Sequence, residues 1–123
     1  MNSKTLKQYT TAAENGHADA QTFLGLIYDK GIEVPVDFKI AVKWYTLAPE
    51  QDVAIAQHSL GVMYYNGHGV RKDFTVAYMW LKLSLLNGYE IARQTIEAIT
   101  PQLTDSQIEL AESLIDNPRR IWA

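Results

Sequence analysis

The chain has 123 residues, of which 47% are hydrophobic and 20% charged, with no cysteine and a formal net charge of −3. This is the composition of one folded domain with enough apolar material for a core, and it excludes a disordered tail or a disulfide-stapled mini-protein. No Lys/Arg-rich block is present, which argues against nucleic acid as the main partner.

The opening stretch, "MNSKTLKQYTTAAENG", carries no apolar run of the kind a signal peptide needs. With the absence of cysteine, this leads to an expected cytoplasmic location. The segment also has a counterpart further along the chain. "YTTAAENGHADAQ" (9–21) aligns with "YTLAPEQDVAIAQ" (45–57). Residues 3–15 are therefore expected to form the second helix of a truncated leading repeat, within a half-repeat spanning 1–16. Gln8 stands where tryptophans stand later, and a polar residue there suits a helix that faces water.

Residues 18–53 superpose on 54–89 without a gap, and 13 of 36 positions are identical. In each copy Ala20/Ala56, Leu24/Leu60 and Tyr28/Tyr64 lie four apart and share one helical face. Gly25/Gly61 stand beside that face, where a missing side chain lets another helix approach. Phe38/Phe74, Ala41/Ala77 and Trp44/Trp80 form a second helical stripe, and Asp37/Asp73 precede it at the position of an N-cap. Each unit reads as helix, glycine-containing turn, helix. One such pair cannot bury its stripe alone, so the pairs must stack. The expectation is an all-α stack of antiparallel helix pairs with about 2.5 repeats of 36 residues in a single domain, 1–123. Repeat one covers 17–52, repeat two 53–87, and capping helices with a tail 88–123.

Three departures between the copies are expected to have consequences. Glu33 takes the slot of Gly69; if that slot needs a positive φ, the first loop should be rerouted. Asp52 takes the slot of Gly16 and Gly88, which aspartate tolerates. Pro49 should push Ala48 out of helical geometry and end its helix early or kink it. The longest mostly apolar run, "VAYMWLKLSLL" (76–86), is interrupted by Lys82 and is too short to span a bilayer, so no membrane insertion is expected. After "NGYEIARQTIEAI" (87–99) the glycine turn is missing. Thr104 and Gln107 form a capping-box pattern that predicts a closing helix over 105–116. The tail "DNPRRIWA" is expected to fold back or fray, and Trp122 has no partner in the repeat.

No catalytic set emerges. "YYNGHGVRKDF" (64–74) lacks the preceding strand and the placed Lys-Ser/Thr of a phosphate loop, and Gly67 and Gly69 read as turn glycines. His17, His58 and His68 have no ligand spacing, so no metal and no cofactor are expected. Asp105 and Glu109 read as a solvated helix face. Trp44 and Trp80, equivalent in the two copies, read as packing residues rather than a stacking platform.

The run "A-D-A-Q-x-x-L-G-x-x-Y-x-x-G" followed by "D-F-x-x-A-x-x-W-Y" resembles the Sel-one-like repeat (SLR) family, a relative of the tetratricopeptide repeat; the resemblance covers 9 to about 99. It implies a right-handed α-α superhelix, or solenoid, and a non-enzymatic role as an adaptor or scaffold that binds a partner protein or peptide. Some relatives have been linked to β-lactams, but no serine here is followed three residues later by lysine, as that chemistry needs. By the resemblance, the first helix of each pair lines a concave groove. The groove residues would be Asp19, Thr22, Leu26, Asp29 and Lys30 in the first unit, and Ile55, His58, Val62, Tyr65 and Asn66 in the second. Ile91, Gln94 and Ala98 would follow in the third. Leu26, Ile55, Val62, Tyr65 and Ile91 would form an apolar strip suited to a partner helix or extended peptide. An alternative reading of a short acidic chain is an immunity-type inhibitor neutralising one cognate toxin or enzyme; a hydrolase is the third. Exposed solenoid ends also leave room for a homo-oligomer.

Overall fold

A computed structural model describes residues 3–48 and 52–116. Pro49, the tail from 117 and Trp122 lie outside the described residues. Seven α-helices succeed one another: α1 (Ser3–Glu14), α2 (Ala18–Lys30), α3 (Phe38–Leu47), α4 (Ala54–Asn66), α5 (Phe74–Leu86), α6 (Ile91–Ile99) and α7 (Asp105–Leu114), with a 3-10 turn at Thr100–Gln102 before the last. No strand occurs among the described residues. α2 packs on α3 and α4 on α5, and each pair meets the next through α1–α2, α3–α4 and α5–α6. α7 closes the stack by packing on α5.

The helix boundaries reflect local chemistry. Asp37 and Asp73 are extended, and each accepts a hydrogen bond at 3.1 Å from the third backbone N–H of its helix, Ile40 and Val76. Gly31 and Gly67 end α2 and α4 in the left-handed region at φ 68° and 71°. Thr104 and Gln107 form both halves of the capping box that starts α7.

The first loop is not rerouted. Glu33 adopts φ 60°, and Gly69 adopts 75°. Asp37 donates its backbone N–H to the Tyr28 carbonyl as Asp73 does to Tyr64, both at 2.9 Å. Glu33 is exposed, and its left-handed backbone costs about 1–2 kcal/mol. Asp52 holds φ 59° where Gly16 and Gly88 hold 90° and 98°. α3 has 10 residues against 13 in α5, yet Ala48 stays helical (φ −66°, ψ −44°) and donates its N–H to Trp44. The residue before a proline is disfavoured in that region, not barred from it.

The core divides along α3. Trp44 joins Ala13, Ala20, Leu24 and Ile27 in an upstream cluster. Tyr45, next in sequence, belongs to the larger cluster that runs through α4 and α5 to Ile96, Ile99 and Ala111. Trp44 and Trp80 are core residues, at 6% and 2% exposure. The glycines beside the packing stripes admit close approach. A Cβ at Gly25 would lie 2.5 Å from the Tyr45 ring, and one at Gly61 would lie 2.8 Å from Leu81. Gln8 is exposed on α1.

Candidate functional site

α2 and α4 hold equivalent places in successive repeats, and a cavity of ≈ 340 Å³ opens between them. Asp29 and Lys30 reach it from the last turn of α2, and Phe38 from the first turn of α3. α4 supplies His58, Ser59, Val62, Met63 and Asn66, and the loop after it supplies His68. Five expected groove residues, Asp29, Lys30, His58, Val62 and Asn66, therefore converge on one space.

Several polar side chains of the cavity are each held by a separate neighbour. The Tyr45 hydroxyl, on a side chain with no exposure, donates to Asp29 Oδ2 at 3.1 Å and is also hydrogen-bonded to Ser59. Burial first, and then the Asp29 charge, push the phenol well above its ordinary value of 10, so it remains a donor at any physiological pH. Lys30 Nζ lies 3.9 Å from Asp29 Oδ2 with its side chain 65% exposed. His58 Nε2 lies 2.9 Å from Thr95 Oγ1 of α6, and its ring meets Tyr89 edge-on at 5.2 Å. Burial pushes the His58 imidazole below its ordinary value. His68 lies flat on Phe38, with ring centroids 4.3 Å apart and planes 10° apart.

The other expected residues are placed differently. Thr22 is buried, and its hydroxyl donates to the Ala18 carbonyl. Leu26 is half-buried against the downstream core. Tyr65 stacks on Phe74, and its hydroxyl accepts from Gln102 Nε2 at 2.7 Å. Ile55 and Ile91 are exposed at 45% and 54%, and Asp19, Gln94 and Ala98 are exposed too. The apolar strip is thus not one continuous surface: Leu26 and Tyr65 pack inward, Val62 lines the cavity, and Ile55 and Ile91 stand out at equivalent first-helix starts. Phe38, Ser59, Met63 and His68 were not among the expected groove residues. The Phe38–His68 stack joins two repeats, a contact set by how the pairs stack and not by spacing within one helix.

His17 lies apart, in a shallow trough along α1. Among the described residues no three His, Asp or Glu side chains converge to hold a metal ion. No helix of the described residues is long and apolar enough to cross a membrane.

Successive helix pairs in register, with a cavity between their first helices, define an α-solenoid repeat protein. The Sel1 repeat model matches residues 18–53 and 54–89, more than half of the chain, and the chain belongs to that family. A Sel1 repeat protein from Oxalobacter formigenes is 35% identical, with a TM-score of 0.71 over 74% of this chain and 26% of its own. The antigen c5321 of uropathogenic Escherichia coli, which displays an SLR fold, is 30% identical with a TM-score of 0.89 over 95% of this chain and 25% of its own. The chain spans about a quarter of the length of either. No curated protein matches it. Sel1 repeats generally mediate protein–protein interaction, and proteins built from them are generally non-enzymatic scaffolds.

Proposed function

We propose that this chain is a non-enzymatic adaptor that binds a partner peptide or helix across the first helices of its repeats. The observation that carries this reading is the convergence of Asp29, Lys30, His58, Val62 and Asn66, from two repeats, on one open cavity. Family membership supports a protein partner.

The test is affinity capture from source-cell lysate, wild type against Ile55→Lys/Asn66→Arg, after circular dichroism shows that both fold alike. Both positions are exposed, so the variant spares the core. A partner retained by wild type and lost by the variant supports the groove; if it is a toxin or enzyme inhibited on binding, the adaptor is an inhibitor. A partner held equally by both sinks the assignment to this face.

A further inference from the structure

Of the nine residues that line the inter-repeat cavity, only Phe38 sits at a position identical in both copies. Asp29 is matched by Tyr65, Tyr45 by Leu81, and His68 by Ile32. The scaffold is built by the positions that repeat, so the polar lining is not a requirement of the fold. We propose that this cavity is a receptor for one cationic side chain, an arginine above all, projecting from the bound partner.

Four features favour a cation. The Asp29 carboxylate has a side chain only 15% exposed and is fixed by the buried Tyr45 hydroxyl, so it is oriented before any ligand arrives. Its ion pair with Lys30 is long and largely solvated, and a better-placed cation displaces it. The Phe38–His68 stack borders the same cavity and offers aromatic surface to a planar guanidinium, which lysine's ammonium uses less well. Finally, Asp29 and Lys30 belong to the last turn of α2 and Asn66 to the last turn of α4, so two helix C-termini, the negative ends of their dipoles, border the same space. The chain's net charge of −3 adds weak long-range attraction of the same sign.

This rests on the groove reading proposed for the chain, and the experiment separates the two. The full chain, labelled with ¹⁵N, is titrated with N-acetyl-arginine amide, with its neutral citrulline analogue, and with N-acetyl-glutamate amide. Saturable amide shifts confined to residues 29–38 and 58–69 are expected with the arginine probe. Citrulline should bind at least tenfold more weakly on the loss of its charge, and Asp29→Asn, which keeps an acceptor for Tyr45, should weaken the arginine probe by a similar factor. His68→Ile, which installs the residue of the first copy, should weaken it roughly three- to tenfold. Equal binding of arginine and citrulline, no saturable shift, or a preference for glutamate overturns the proposal. A captured partner lost on Ile55→Lys/Asn66→Arg but unaffected by Asp29→Asn leaves the groove standing and removes the cation receptor.

Discussion

Gly69 touches the backbone of Phe38 across the repeat boundary: a Cβ at 69 would lie 2.5 Å from the Phe38 carbonyl oxygen. Its φ of 75° already disfavours any other residue. Gly69→Ala therefore meets both backbone strain and a neighbour that cannot move aside, and should cost about 2–4 kcal/mol. Glu33→Gly, at the equivalent slot, removes left-handed strain but gives the unfolded chain more freedom. It should change stability by less than about 1 kcal/mol, in the stabilising direction. Urea midpoints of the two variants check the contrast.

The paired aspartate caps give a second comparison. Asp37→Ala and Asp73→Ala each strip one hydrogen bond from a helix start and should each cost about 1 kcal/mol. The two caps start helices of different repeats, so the double variant should cost the sum of the two. Denaturant unfolding with an unchanged slope would confirm that only the folded state was affected.

Tyr45→Phe keeps the ring that fills the space beside Gly25 and removes the hydroxyl bonded to Asp29 and Ser59. A loss of about 1–2 kcal/mol is expected, since two polar partners lose a buried neighbour. A much larger loss by thermal melting would mean that the ring itself had shifted.

His58 makes stability depend on pH. Its folded-state value lies below the ordinary 6.5 because burial disfavours the cation. Well above that value both folded and unfolded forms are neutral and the residue contributes no penalty. As pH falls from 6.5 through the lowered folded value, the unfolded chain takes up the proton first and stability declines. His58→Gln should flatten that part of the curve, read as urea midpoints from about neutral pH down to about pH 5. An unchanged slope would show that other groups dominate.

Most of the fold is legible in the sequence because a duplicated pattern reports each element twice. Asp37 and Asp73 mark helix starts, Gly31 and Gly67 mark helix ends, and Asp52 marks a left-handed joint. The expected rerouting of the first loop does not occur, because Glu33 itself takes up the positive φ that Gly69 holds in the second copy. The site is legible in part. The family resemblance assigns Asp29, His58 and Asn66 to one groove, and in the structure all three border one cavity. The resemblance does not say what covers a face. Tyr65 is occupied by Phe74 and by Gln102 of the non-repeating cap, and Thr22 is sealed by its own packing. The Phe38–His68 stack and the Tyr45–Asp29 bond depend on the pitch between pairs, which no single window of sequence encodes.

The division of the core along α3 has a mechanical consequence. Trp44 belongs to the upstream cluster and Tyr45 to the larger one, and the cavity lies between the two repeats, with Asp29 of α2 on one lip and Asn66 of α4 on the other. Whatever binds there straddles a joint. It would act as a strut, stiffening the bend between the repeats, and the amides of α1 and α2, held by the smaller core, would be the ones whose hydrogen exchange slows.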